Sequence, residues 1–179
     1  MDEVPLKKQE EQLAGESYPQ PAEEKKIKLS QPTRELAIKL LDKVSFGDRF
    51  TWYMASPGKL GGQLETQLVT FSNLGEAVDF LELCQDYYNR GDYLYERNLT
   101  DVKYINLEFL GNWIGKTLGD QELADAIKAE LLKDSCNTHN LKDVIRYCSH
   151  LVPPIKGLIQ KRLKQCREVA SQKTSLDSD

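Results

Sequence analysis

The sequence has no long apolar stretch and only two histidines among its 179 residues. No run of about 18 apolar residues occurs, so no transmembrane helix is predicted. The first residues, Met1 to Pro5, do not lead into the apolar segment of a secretory signal. We therefore expect a soluble, cytoplasmic protein whose four cysteines are reduced thiols.

Neither positive nor negative charge dominates the chain. Lys and Arg number 24 and Asp and Glu number 28, which gives a net charge of −4. This mild balance argues against bulk nucleic-acid binding but leaves room for a local basic face. Nucleic acid and membrane are therefore not favoured as partners.

Large apolar residues are scarce before residue 30, where Lys, Glu, Gln and Pro are abundant. A segment of this composition cannot bury enough surface to offset its chain entropy. We predict a disordered tail over residues 1–29, a single globular domain over 30–172 and a frayed C-terminus over 173–179.

Hydrophobic periodicity predicts an α+β fold that is predominantly helical, with about six helices and one β-hairpin over residues 50–71. The aromatic residues from Phe50 to Tyr53 suit one strand, and the alternation from Gln63 to Phe71 suits the other. The Pro153-Pro154 pair is expected to end the fifth helix and to open the sixth. The helices are predicted at about 33–44, 73–90, 106–118, 121–133, 141–151 and 154–171.

Cysteine and histidine come closest to a zinc-binding pattern between residues 136 and 150. Cys136, His139, Cys148 and His150 all lie in this stretch. If residues 141–151 are helical, the two Cys/His pairs stand about 12 Å apart along the helix, too far to share one ion. We predict no bound metal.

Signs of catalysis are equally sparse. Glycines flank Lys59, but the spacing of a phosphate loop and its following helix are missing. No Gly-x-Ser-x-Gly nucleophile motif occurs. We predict no cofactor and assign no catalytic residue, although a dispersed pair such as Cys84 with His139 stays open.

Two surface features are candidates for binding a partner. Between residues 155 and 167 the last helix has five basic residues and no acidic one. The basic residues lie on the face opposite an apolar stripe. Such a helix can contact a membrane or nucleic acid, but we favour a helix that docks by its stripe and leaves its cations solvated. Clustered tyrosines are favoured at interfaces and also between helices. The candidate interaction surface consists of Tyr87, Tyr88, Tyr93, Tyr95, Lys161, Arg162 and Lys164.

Short motifs over residues 50–130 resemble an uncharacterised prokaryotic domain family. They are TFSNLGEA from Thr70, DYLYE from Asp92, FLGNWI from Phe109 and LGDQELA from Leu118. The family shows Trp-Ile followed by Leu-Gly-Asp-x-Glu-Leu-Ala, and Glu96 stands where it usually has histidine. The resemblance implies a prokaryotic cytoplasmic domain and no established activity.

The missing catalytic motif, the tyrosine cluster and the tail favour a non-enzymatic protein-interaction or regulatory module. Its partner would be another protein or a second copy of the chain. The alternatives are an enzyme with dispersed catalytic residues, and nucleic-acid or membrane-surface binding through the basic C-terminal helix. A polar-lined cleft with displaced carboxyl or thiol pKa values would favour the enzyme.

Overall fold

The computed structural model describes residues 27–57, 64–90, 105–134 and 141–172. Within these ranges the chain forms five α-helices and one two-stranded antiparallel sheet, which confirms a mostly helical α+β fold. The elements are α1 (Arg34–Leu41), β1 (Phe50–Pro57), β2 (Leu64–Phe71), α2 (Leu74–Arg90), α3 (Leu107–Trp113), α4 (Gln121–Leu131) and α5 (Leu141–Ser171). A short 3₁₀ helix, Phe46–Asp48, precedes β1, and a π-helical turn, Ile114–Leu118, extends α3.

Side-chain caps fix where the helices begin. Thr33 Oγ1 accepts a hydrogen bond from the backbone N–H of Leu36, and Asp120 Oδ1 accepts one from that of Leu123. Before α2, the carboxylate of Glu76 accepts the backbone N–H of Ser72 at 2.7 Å, and this bond lowers the pKa of Glu76. These caps satisfy backbone donors that the first turn of a helix leaves without a partner.

The prediction of two separate C-terminal helices is wrong, because α5 runs unbroken through Pro153 and Pro154. The prolines remove the hydrogen bonds that the carbonyls of Ser149 and His150 would accept. His150 is exposed and Ser149 half-buried, so water can replace those bonds. The buried residues Leu151, Val152 and Ile155 keep one packed face across the prolines. No helix among the described residues, α5 included, is long and apolar enough to cross a membrane.

The core forms where α1, α2 and α4 pack on α5. The predicted apolar stripe of α5 is the face that they cover. Ile155, Ile159 and Cys166 have no exposed surface, and Leu163 is 5% exposed. The helix is therefore docked as predicted, and this burial is its main source of stability.

The hairpin is confirmed, with Phe50 opposite Phe71 and Pro57 opposite Leu64. Phe50 and Phe71 are buried and stack with their ring centroids 4.4 Å apart. The Trp113 ring lies edge-on to both, and its Nε1 donates a hydrogen bond to the carbonyl of Asp48 at 2.8 Å. An aromatic cluster therefore attaches the base of the hairpin to α3.

The globular domain begins earlier than predicted, because Ile27–Leu29 already lie against α5. Leu29 is 4% exposed, and its carbonyl accepts a hydrogen bond from Gln165 Nε2. The apolar side chains of Ile27 and Leu29 stand alone in a polar stretch, too few to show a periodic pattern. Residues 1–26 and 173–179, to which the predictions of a tail and a frayed end also apply, lie outside the described residues.

Replacement of a buried leucine on α5 tests the docked helix. We expect Leu163→Ala to lower the free energy of unfolding by about 2–5 kcal/mol, because it removes buried methyl groups and leaves a cavity. The neighbouring exposed residue provides the control, and Lys164→Ala should change stability by no more than about 0.5 kcal/mol. Urea denaturation followed by circular dichroism measures both. Equal stability of the two variants would show that α5 is not docked by this face.

Candidate functional site

The two described tyrosines of the predicted interaction surface are buried. Tyr87 is 2% and Tyr88 6% exposed, so both belong to the core. Burial raises the pKa of Tyr88 above its ordinary range, and the neighbouring Cys148 and Cys84 add to the rise. The prediction of a surface role is therefore wrong for these two, whose apolar rings wedge between α2 and α5. Tyr93 and Tyr95 lie outside the described residues.

The predicted basic surface of α5 loses its central member. Lys161 and Lys164 are exposed, but Arg162 is buried to 1% exposure and is not part of a solvated face. Arg162 Nε lies 2.7 Å from Oδ2 of the equally buried Asp120, and these two atoms have no hydrogen bond to any other described residue. A charge can remain in such a place only when an opposite charge accompanies it.

Arg162 joins three parts of the chain, in an arrangement that we call the Arg162 clip. Its Nη2 lies 2.6 Å from Glu122 Oε2 at the start of α4, and its Nη1 donates to the carbonyl of Ser30 at 2.6 Å. Glu122 in turn accepts the backbone N–H and the hydroxyl of Ser30, both at 2.7 Å. The clip therefore fastens the extended segment before α1 to α4 and α5.

Two groups at or near the clip have displaced pKa values. The hydrogen bonds from Ser30, with a further contribution from Arg162, lower the pKa of Glu122 to about 2. Burial raises the pKa of the Cys166 thiol to about 11. Both shifts follow from structural contacts and give no group poised for proton transfer near neutral pH.

The described members of the Cys/His group point apart. Cys148 is buried, with its Sγ 3.8 Å from the carbonyl oxygen of Ile105, whereas His150 is exposed with its Nδ1 3.6 Å from Asp134 Oδ2. Side chains two positions apart on a helix point about 200° away from each other, which explains why Cys148 and His150 face different surroundings. Cys136 and His139 lie outside the described residues.

A cleft of about 690 Å³ opens between α3, α4 and the start of α5, and we call it the α3–α4 cleft. Trp52 of β1 stands on one side of it. Most of the floor is apolar and the rim carries charges of both signs. The floor includes Ile105, Leu107, Gly111, Gly115, Ala124, Ile127, Leu131, Val144 and Cys148, and the rim includes Glu108, Asn112, Lys116, Gln121, Asp125, Lys128 and Leu132.

Small residues bring α3 and α4 together beneath the cleft. A Cβ atom on Gly111 would lie 3.3 Å from Ile127, and one on Gly115 would lie 3.0 Å from the Cβ of Ala124. The turn between the helices ends at Gly119, whose φ of 84° is a left-handed conformation that favours glycine. This close packing brings the two helices into direct contact beneath the cleft.

Large apolar side chains are exposed on the rim of the cleft and close to it. Leu132, at the end of α4, is 78% exposed. Phe109 is 48% exposed, and its ring centroid lies 6.3 Å from that of the half-buried Trp52. Exposed apolar residues beside a cleft are typical of a binding site.

Sequence patterns alone did not single out these cleft residues. One signal was present, since Gly111 and Gly115 stand four residues apart on one helix face, the spacing of a close helix crossing. The exposure of Leu132 had no such signal, because leucine at the end of a helix is as often buried as exposed. The cleft as a whole depends on how three helices and the hairpin meet.

The described lining of the cleft contains no histidine, and the one described thiol in it, Cys148, faces a backbone carbonyl. In the parts of the chain that the structure describes, the displaced pKa values belong to Glu76, Tyr88, Glu122 and Cys166, none of which lines the cleft.

Comparison with protein-family models, with curated proteins and with solved structures finds no match to this chain. The resemblance to a prokaryotic family stays a prediction.

The buried arginine should be far more sensitive to substitution than its neighbour. We expect Arg162→Gln to lower the free energy of unfolding by about 3–5 kcal/mol, since it leaves the Asp120 charge buried without its partner. The same change at the exposed Lys161 should cost no more than about 0.5 kcal/mol. Denaturant titration of both variants measures the difference. A tolerated Arg162→Gln would contradict the clip.

The lowered pKa of Glu122 gives the clip a defined pH dependence. A carboxyl group whose pKa is lower in the folded than in the unfolded chain stabilises the fold. This stabilisation is complete at pH values above the unfolded pKa, and it is lost as the pH falls through the folded pKa. We therefore expect wild type to be more stable than Glu122→Gln at pH 7, with the difference decreasing from about pH 4.5 towards pH 2. Thermal unfolding across this range measures it. A difference that does not change with pH would contradict the hydrogen-bonded carboxylate.

Proposed function

We propose that the protein is a non-enzymatic interaction module that binds an amphipathic helix of a partner protein in the α3–α4 cleft. The observation that carries the proposal is the apolar floor between two charged rims, one on α3 and one on α4, with the exposed Leu132 on the α4 side. A helix placed in such a groove buries its apolar face and keeps its polar face in water. The cytoplasmic location and prokaryotic origin predicted from the sequence belong to this proposal.

The rim charges support a protein partner of mixed charge. Glu108 and Lys116 lie on the α3 side, and Asp125 and Lys128 lie on the α4 side. Neither side therefore presents a field of a single sign. Opposite charges spaced along a helical partner can pair with both rims, and such pairs contribute to orientation and specificity more than to affinity.

The basic helix supports nucleic-acid or membrane binding less well. Lys156 pairs with Glu82 at 3.7 Å, Lys164 with Glu168 at 4.0 Å, and Arg162 is inside the clip. Its apolar stripe packs on the other helices, so a membrane would not have that stripe to bind. The cations that remain at the surface are too few to support a strongly salt-dependent interaction.

Two exposed leucines allow a matched test of the cleft. Leu132 lies on its rim, whereas Leu83 is 62% exposed on α2 and does not line it. We expect Leu132→Ser to reduce capture of a partner protein from native lysate at least about tenfold, which is the loss of roughly 1.4 kcal/mol of binding free energy. Leu83→Ser should capture as much as wild type, and both variants should unfold at the wild-type temperature.

The captured protein must then bind through a helical segment. A synthetic peptide of that segment should bind wild type and Leu83→Ser and gain helical circular dichroism on binding. Equal capture by all three proteins, or reproducible turnover of a small molecule that Leu132→Ser abolishes, would contradict the proposal.

A further inference from the structure

The described contacts of the hairpin with the helices lie near its base. Phe50 and Phe71 are buried, and the next pair on the same face, Trp52 and Val69, is half-buried. The paired strands continue through five more register positions, to Pro57 opposite Leu64. That length is about 16 Å of paired backbone beyond the anchored part.

A two-stranded sheet of this kind has two open edges. In the described part of the chain the sheet contains β1 and β2 alone, so no third strand lies beside either of them. An isolated hairpin is marginally stable in water, and its edge N–H and C=O groups are able to pair with another strand.

The two edges differ in charge. The eight residues of β1, FTWYMASP, include no charged side chain, whereas β2 contains Glu65. Charged residues on an edge strand are a common protection against pairing, and β1 has none. Its aromatic and β-branched residues also favour extended pairing.

We infer that β1 pairs antiparallel with β1 of a second copy of the chain, forming a continuous four-stranded sheet across a two-fold axis. Directly opposite residues of an antiparallel pair share one face of the sheet, so the axis passes between two copies of one residue. Centred on Tyr53, the pairing places Phe50 of one copy opposite Ser56 of the other. A two-fold interface brings identical surfaces together, so it is stable only where like charges do not meet.

The flanking charges allow this arrangement. The cation nearest to β1 is Arg49, which directly precedes the strand. In the antiparallel pair the two copies of Arg49 lie at opposite ends, about 26 Å apart. This separation is several times the screening length of about 8 Å at physiological salt, so their repulsion is negligible.

A lysine placed on β1 or on β2 tests which strand forms the interface. Tyr53 lies opposite Leu68 within one hairpin. In the proposed dimer the two copies of residue 53 approach within about 6 Å, whereas the two copies of residue 68 stay about 15 Å apart. A lysine at residue 53 therefore faces its own copy, and a lysine at residue 68 does not.

Light scattering on a sizing column, over a concentration series of the full chain, gives the mass. We expect wild type and Leu68→Lys to approach twice the 20.4 kDa of one chain, and Tyr53→Lys to stay near that mass. Circular dichroism checks that each variant is folded. A monomeric wild type, loss of the dimer in Leu68→Lys, or retention of the dimer in Tyr53→Lys would overturn the inference.

Disulfide trapping keeps the inference testable if Tyr53→Lys does not fold. Two cysteines with Cα atoms about 6 Å apart can form a disulfide, and two at about 15 Å cannot. With a mild disulfide oxidant, Tyr53→Cys should give a covalent dimer that neither wild type nor Leu68→Cys gives. Failure of Tyr53→Cys to cross-link, or equal cross-linking of Leu68→Cys, would overturn the inference. The helix-binding proposal concerns a different surface and would be unaffected.

Discussion

The buried ion pair between Arg162 and Asp120 is the interaction on which the arrangement of the helices depends. Both side chains are about 1% exposed, so each charge relies on the other in place of water. Asp120 also caps α4, and it directly follows the left-handed Gly119 that turns the chain back from α3. The same pair therefore fixes α4 to α5, sets the start of α4 and determines where the α3–α4 cleft lies.

Packing overrides local preference along α5. Pro153 and Pro154 would break an isolated helix, because they remove two hydrogen bonds and crowd the preceding turn. The residues around them nevertheless bury a continuous face against α1 and α2. The free energy of that burial exceeds the local cost, and the prolines themselves lie half-buried or exposed, away from the core.

Patterns that depend on neighbours along the chain were predictable from the sequence. The alternation before Phe71 identified the hairpin, and the cap of α4 by Asp120 was evident from one residue and its context. The buried face of α5 followed from its spacing. Arg162 shows the limit of such a pattern. It lies three residues after Ile159 and four before Cys166, so its spacing places it within the apolar stripe and indicates burial. Its charge, in contrast, indicates exposure to solvent.

Features that depend on distant segments were not predictable. The partner of Arg162 lies 42 residues away, and nothing in the local pattern identifies which acid it meets. The α3–α4 cleft is a space left between elements, and its shape follows from the approach of Ile127 and Ala124 to two glycines. The continuity of α5 is a third example, because only the assembled core shows that it outweighs two prolines.

The buried thiols give this fold built-in reporters of local opening. Cys84 lies on α2, and Cys148 and Cys166 lie on α5 on either side of the proline pair. Each is inaccessible in the folded state, so a thiol reagent can label it only when its surroundings open. The labelling rates of Cys148 and Cys166 would therefore distinguish an α5 that opens as one unit from one whose halves separate at the prolines. The rate in the unfolded chain supplies the intrinsic reactivity of each thiol.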